Sequence, residues 1–173
     1  MRNVWARVLA DRGVAVDTWL MIEHKPPTHE TLDMDVQWDL GDALAEAADD
    51  EPVTHTMVEA VAEAHGAPVS HVFIGAALDP MMEWEQETDV ELWVCAGSCQ
   101  HSGAGALLER LLALRTEKMQ DGKAPFHIIP RGCLSICEKG PVMISRSPHG
   151  EVTHPELAVE DLDEVVSLLT QPA

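Results

Sequence analysis

The sequence predicts an α/β fold, a βαββα domain preceded by a small helical region. Two observations lead to this class. Apolar residues are spaced as in helices from about residue 40 to residue 82, and from Asp89 onward short alternating segments are interleaved with leucine-rich helical ones. The length of 173 residues suffices for one domain of ordinary size, or for a compact domain with an added subdomain. Either size buries a core that needs no disulfide.

Residues 1–40 form an N-terminal segment that the pattern leaves unassigned. Within it, "KPPTHETLDMDVQWD" is predicted to be a loop, because paired prolines stop both helices and strands. His24 and His29 lie close to Glu30 and suggest a metal site at first sight. They lack helical spacing, so we interpret them as surface residues.

Residues 41–88 are predicted to form a helical subdomain. Thr54 is a candidate N-cap for a helix that stops at Gly66, with Pro68 beyond it. The segment "VSHVFIGAALD" predicts another short helix, and "MMEWEQETD" a charged connector. The apolar stripe of the helix after Thr54 consists of Met57, Val58, Val61 and Ala64.

Residues 89–173 predict the order strand, helix, strand, strand, helix. The strands are "VELWV", "FHIIP" and "VMISRS", and the helices are "GALLERLLALRTEK" and "PELAVEDLDEVVSLL". The inner faces of the two helices are predicted to carry Leu107, Leu108, Leu111 and Leu114 in the first, and Val159, Leu162, Val166 and Leu169 in the second.

Charge and hydropathy exclude some function classes. The formal net charge is −19, and residues 51–90 carry 8 acidic and no basic side chains. Such a surface repels phosphate backbones, so we expect no nucleic-acid partner. No segment approaches the roughly 20 apolar residues of a membrane-spanning helix, and no signal-peptide pattern develops at the N-terminus. We therefore expect a soluble, cytoplasmic protein without membrane insertion.

Four cysteines form the main candidate site. Cys95 and Cys99 follow the first strand of the α/β part, and Cys133 and Cys137 follow the second. Strands joined by a crossover helix run parallel, so their carboxyl ends emerge at the same edge of the sheet. The sequence therefore predicts that the two pairs converge into one group of four thiols.

The spacing of the cysteines leaves three kinds of chemistry open. Thiolates in a reducing compartment suit zinc or iron with sulfide. Structural zinc commonly uses two-residue gaps, whereas both gaps here hold three residues, which favours a 2Fe-2S cluster. Dithiol or disulfide chemistry is the third possibility, although thioredoxin-type thiols use C-x-x-C.

From about Leu44 to Leu169 the sequence resembles a known family. It is similar to the small thioredoxin-like 2Fe-2S subunit of the NADH-oxidising module of respiratory complex I, and of related hydrogenases and formate dehydrogenases. The resemblance rests on "CLSICEKGPVMI", "VCAGSCQHSGAGALLERL" and "EAVAEAHGAPVSHVFIGAA". The family usually has four residues between its first two cysteines, whereas this chain has Ala96, Gly97 and Ser98.

The resemblance implies a thioredoxin-like domain over residues 89–173 in which four cysteines ligate one 2Fe-2S cluster. These are Cys95, Cys99, Cys133 and Cys137. It also implies an electron-transfer subunit in a hetero-oligomer, with FMN and NAD on a flavin- and NAD-binding iron-sulfur partner. The chain itself shows no nucleotide fingerprint, since Leu108 stands where "GAGALL" would need its third glycine. The alternatives are a free-standing ferredoxin and a zinc-stabilised interaction module without redox activity.

Other residues are predicted to surround the site. Gly97, Gly132 and Gly140 are expected to let the backbone approach the sulfurs. Arg131 and Lys139 are candidates to raise the reduction potential of a cluster, although both could equally be ordinary surface cations. His101 follows the first pair but is not needed as a ligand beside four cysteines. No catalytic residue is predicted.

Overall fold

The computed structural model describes residue 29 and residues 31–170. Over this range the chain has a mixed α/β fold, as predicted. The helices are α1 (Met34–Ala48), α2 (His55–His65), α3 (Val69–Ala76), α4 (Ala104–Glu117) and α5 (Leu162–Leu169). The strands are β1 (Glu91–Cys95), β2 (His127–Arg131), β3 (Met143–Ser147) and β4 (Gly150–His154). No helix among these residues is long and apolar enough to cross a membrane.

The strands form one sheet in the order β2-β1-β3-β4. β1 and β2 are parallel and connected through α4, whereas β3 is antiparallel to β1 and β4 is antiparallel to β3. The parallel pair aligns Glu91 with His127 at one end and Cys95 with Arg131 at the other. This confirms the crossover that the sequence predicted, and it places the ends of β1 and β2 side by side.

β4 is a strand that the sequence analysis missed. It forms a hairpin with β3, in which Ser147 pairs with Gly150. β4 lies at the edge of the sheet, and most of its side chains are exposed. β4 was not predicted because an exposed edge strand lacks the apolar alternation by which strands are recognised. The observed order is strand, helix, three strands, helix.

α1 corrects the loop prediction for "KPPTHETLDMDVQWD", which is helical from Met34 onward. Asp33 caps this helix by accepting a hydrogen bond from the amide of Asp35 at 2.9 Å. Leu40 and Leu44 point into the core. The boundary proposed at residue 41 therefore falls inside a helix, while the division into subdomains stays a prediction.

α2 begins and ends where the sequence predicted. Thr54 Oγ1 accepts a hydrogen bond from the amide of Met57 at 3.1 Å, and Gly66 ends the helix with φ of 60°. The buried stripe differs at one position, because Ala62 is buried and Ala64 is exposed.

α5 is shorter at its start than the predicted helix. Val159 lies in a 3-10 turn over Val159–Asp161, and the α-helix begins at Leu162. Leu162 and Val166 are buried as predicted. The leucine face of α4 is also buried as predicted, namely Leu107, Leu108, Leu111 and Leu114.

The helical region and the sheet share one hydrophobic core. Buried residues of α1 to α3, such as Leu44 and Phe73, belong to the same cluster as Leu92 of β1 and Leu111 of α4. The connector after α3 takes part as well, because Trp84 stacks on Phe73 with ring centroids 5.4 Å apart. The helices therefore support the sheet directly.

Candidate metal centre

The two cysteine pairs meet at one edge of the sheet. Cys95 is the last residue of β1 and is paired with Arg131, the last residue of β2. The amide of Ala96 donates to the Arg131 carbonyl at 2.8 Å, which keeps the chains together just beyond the strands. Cys95 Sγ lies 4.0 Å from the carbonyl oxygen of Gly132, next to Cys133. The convergence expected from the crossover is present.

Glycines allow the two cysteine loops to touch. A Cβ atom added at Gly97 would lie 2.1 Å from the Gly132 carbonyl oxygen, and one at Gly132 would lie 2.8 Å from the Ala77 carbonyl oxygen. A side chain at Gly97 would force the two cysteine loops apart, and one at Gly132 would push the second loop away from Ala77. Gly140 also approaches a sulfur, since its added Cβ would lie 3.0 Å from Cys99 Sγ.

The two pairs differ in burial. Cys95 and Cys99 are 2% and 1% exposed, whereas Cys133 and Cys137 are exposed. The buried pair belongs to a small apolar cluster with Ala104 and Val142. Partly buried Leu134 and Ile136, which alternate with the exposed cysteines in sequence, pack against that cluster. The second loop therefore turns its apolar side chains inward.

Hydrogen bonds make the buried pair acidic at one sulfur. A hydrogen bond from Cys99 and the backbone amides of Leu134, Gly97 and Cys99 lower the pKa of Cys95 to about 6, against the opposing effect of burial. The hydrogen bond to Cys95, burial and the neighbouring Cys95 charge raise the pKa of Cys99. The pair therefore holds one thiolate and one thiol near neutral pH.

The exposed pair is also in contact. The sulfurs of Cys133 and Cys137 lie 3.7 Å apart, and the amide of Ser135 donates to Cys133 Sγ at 3.2 Å. The hydrogen bond with Cys133, burial and the charges of Cys133 and Cys95 raise the pKa of Cys137. The charge of Cys95 can act on Cys137 because the two cysteine loops touch at Gly97 and Gly132.

The donor set suits a metal that thiolates bind. In the part of the chain that the structure describes, no group of three or more His, Cys, Asp or Glu side chains is arranged so that it could hold a metal ion. The thiols stand as two pairs. Two pairs suit a two-iron cluster in which each iron takes two sulfurs, and the amides that bond to Cys95 and Cys133 are of the kind that hydrogen-bond cluster sulfurs. The four residues therefore fit a 2Fe-2S cluster.

The predicted neighbours of the site are placed as follows. Arg131 stacks over the Trp93 ring at 4.3 Å, and Arg146 lies over the same ring at 3.6 Å. The Arg131 Nε atom is buried and has no hydrogen-bond partner among the described residues. Lys139 is exposed, which agrees with an ordinary surface cation.

Three histidines were considered in the sequence as possible metal ligands, namely His24, His29 and His101. His29 and His101 are both exposed, and the amide of His29 donates to the His101 carbonyl at 3.3 Å. His24 lies outside the described residues. The reading of these side chains as surface residues agrees with the exposure of His29.

The sequence analysis missed two buried glutamines beside the first cysteine loop, Gln37 and Gln100. Gln100 directly follows Cys99, which is the one local signal that could have drawn attention to it. Nothing local singles out Gln37, because its contact with Gln100 spans 63 residues of sequence.

Comparisons with known proteins add little to this site. No family model matches the chain, and no curated protein matches it. Among solved structures it is similar to the wild-type thioredoxin-like [2Fe-2S] ferredoxin from Aquifex aeolicus, with a TM-score of 0.35 and 25% sequence identity. The alignment covers 47% of this chain and 84% of that chain. This TM-score is too low to support an inference about a cofactor or a function, so the assignment of a 2Fe-2S cluster depends on the cysteines themselves.

Proposed function

We propose that this protein is an electron carrier with one 2Fe-2S cluster held by Cys95, Cys99, Cys133 and Cys137. The observation that carries the proposal is the meeting of two thiol pairs at the ends of parallel strands β1 and β2, where Cys95 Sγ lies 4.0 Å from the Gly132 carbonyl oxygen beside Cys133. When bound, such a cluster takes up and releases single electrons. The role of the chain is to hold the four sulfurs and to adjust their surroundings.

Two features of the chain support stable binding. The lowered pKa of Cys95 makes one thiolate available near neutral pH, which is the form that binds metal. Leu134 and Ile136 cover the buried pair with apolar side chains, while Cys133 and Cys137 face outward. The exposed pair thus lies on the side from which an electron can pass to a partner.

The finer part of the proposal concerns that partner. In keeping with the family resemblance, the cluster exchanges electrons with the flavin of an FMN- and NAD-binding iron-sulfur subunit in an NADH-linked oxidoreductase complex. Hydride chemistry then belongs to the flavin and not to this chain. A permanent subunit co-purifies with such a flavoprotein from its native source, whereas a free-standing ferredoxin elutes alone in size-exclusion chromatography.

Anaerobic isolation tests the cluster. We expect a reddish-brown protein that contains iron and acid-labile sulfide in equal amounts and whose visible absorbance falls, without disappearing, on reduction. A colourless protein with zinc and no sulfide overturns the proposal in favour of a zinc-stabilised interaction module. Ser98→Ala should keep the colour, the iron and the sulfide of the wild type, because Ser98 is an exposed residue inside the first cysteine loop and its hydroxyl is not a predicted ligand.

A further inference from the structure

Two buried glutamine side chains connect helix α1 to the first cysteine loop. Gln37 lies in the third position after Met34, and Gln100 follows Cys99; they are 4% and 5% exposed. Buried amides are costly unless their polar atoms are hydrogen-bonded. Both side chains meet this requirement through each other and through backbone groups.

Gln100 is bonded on both ends of its amide. Its Nε2 atom donates to the Ala96 carbonyl at 2.8 Å and to Gln37 Oε1 at 3.3 Å, and its Oε1 atom accepts from the Leu32 amide at 3.0 Å. Gln37 Nε2 in turn donates to the Leu32 carbonyl at 2.6 Å. The chain just before α1, α1 itself and the cysteine loop are therefore joined by four hydrogen bonds.

The bond to Ala96 acts on the loop that separates the buried cysteines. The Ala96 amide is already held by the Arg131 carbonyl, and the Gly97 carbonyl accepts from the Gln100 amide at 2.9 Å. With the Gln100 side chain on the Ala96 carbonyl, consecutive polar groups of the loop are each engaged. The three-residue loop is therefore held by hydrogen bonds to Arg131 on one side and to Gln100 on the other.

We propose that Gln37 and Gln100 are positioning residues of the candidate cluster, through which α1 fixes the orientation of Cys95 and Cys99. The presence of a cluster in this proposal rests on the proposed function. That the two side-chain amides hold the first cysteine loop can be tested on the thiols of the cluster-free protein.

Alkylation of the cluster-free, reduced protein tests this content. Gln100→Met keeps the length of the side chain and removes its hydrogen bonds. We expect iodoacetamide to modify Cys95 and Cys99 roughly five- to tenfold faster than in the wild type, the ratio that corresponds to losing the bond to the Ala96 carbonyl, which is the one of the three side-chain hydrogen bonds of Gln100 that holds the cysteine loop. The rates at Cys133 and Cys137, resolved by peptide mass spectrometry, stay unchanged.

Three further variants make the test selective. Gln37→Met removes the partner of Gln100 but leaves the bond to Ala96, so we expect a smaller acceleration of about two- to threefold. The double variant matches Gln100→Met, because both changes act through one side chain. Gln86→Met, at an exposed glutamine of the connector, leaves all four rates unchanged. If Gln100→Met does not fold, the result with Gln37→Met decides.

Unchanged rates at Cys95 and Cys99, or an equal acceleration at all four cysteines, overturn the proposal, because the second pattern indicates general loosening. In the iron-loaded protein we expect Gln100→Met to change the EPR g values and shift the midpoint potential, with Gln86→Met as the control. If the wild type binds no iron but the selective alkylation is found, the electron-carrier function fails and the positioning of the loop stands. If iron is bound and the alkylation is not selective, the reverse holds.

Discussion

The buried and the exposed cysteine pair have the same spacing and opposite surroundings. Cys95 and Cys99 lie in an apolar cluster, with backbone amides around the first sulfur, whereas Cys133 and Cys137 lie on an exposed loop. The order of the strands accounts for the difference. β1 is an inner strand between β2 and β3, while β2 lies at the edge of the sheet. The loop after an inner strand is enclosed by its neighbours.

The spacing of two cysteines in the sequence does not determine their burial or their surroundings in the structure. Each pair has three intervening residues, and both follow the end of a strand of the same sheet. The environment then decides the pKa and the access of reagents. A cluster bound to both pairs would be anchored by the buried one and accessible through the exposed one.

The largest expected effect comes from replacing a thiol in either pair. Cys95→Ser and Cys137→Ser should both abolish the visible absorbance, because each removes a ligand. They should differ in the cluster-free protein. A hydroxyl in the apolar cluster lowers the free energy of unfolding by about 1–2 kcal/mol for Cys95→Ser, whereas Cys137→Ser leaves it unchanged. Urea unfolding measures this, and equal losses would contradict the comparison.

The second effect concerns the contact between the loops of the two pairs. Gly97→Ala places a methyl group against the Gly132 carbonyl, so we expect the free energy of unfolding to fall by about 2–3 kcal/mol. Gly105→Ala is the matched control, because Gly105 lies inside α4 and has room for the added methyl group. The nearest atom, Cδ1 of Ile74 in α3, would be 4.0 Å away. That change should stabilise the helix by up to about 1 kcal/mol. A Gly97→Ala protein as stable as the wild type would show that the loops do not touch.

The third effect separates acid sensitivity of the fold from that of the cysteine site. Burial lowers the pKa of His127, at the start of β2, despite the nearby carboxylates of Glu87 and Glu91; the cation of Arg115 lowers it further. The folded protein therefore favours neutral His127. Its contribution to stability is complete above the ordinary histidine pKa of 6.5 and is lost as the pH falls below that value.

We expect the cluster-free protein to lose stability between pH 7 and pH 5 in urea titrations, and His127→Gln to reduce this dependence. Burial lowers the pKa of His55 and of His154 as well, so some dependence should remain in the variant. An unaltered pH profile for His127→Gln would assign the acid sensitivity to the other two histidines.

The smallest effect compares a half-buried cation with an exposed one near the site. Arg131 is held over Trp93 and paired in register with Cys95, whereas Lys139 is exposed to water. Arg131→Gln should lower the midpoint potential of the cluster more than Lys139→Gln, because water and salt screen the exposed charge. It should also cost about 0.5–1 kcal/mol of stability through the lost stacking. Equal potentials in both variants would assign no electrostatic role to Arg131.

Much of the fold could be predicted from local patterns. The cap at Thr54 and the stop at Gly66 are signals carried by single residues. The leucine face of α4 repeats at helical spacing, and the parallel pairing of the strands before and after it follows from the general preference for a helical crossover between two parallel strands. β4 and the start of α1 escaped prediction, since an exposed edge strand has no apolar alternation and paired prolines suggested a loop.

The sequence by itself determined that four thiols gather in two pairs, because strand, crossover helix and strand place the following loops at one edge of a sheet. Only the tertiary structure decided which pair is buried, because that depends on the position of β1 inside the sheet. It also decided that Gln37 meets Gln100, since a contact across 63 residues arises from the packing of α1 and leaves no trace in local spacing.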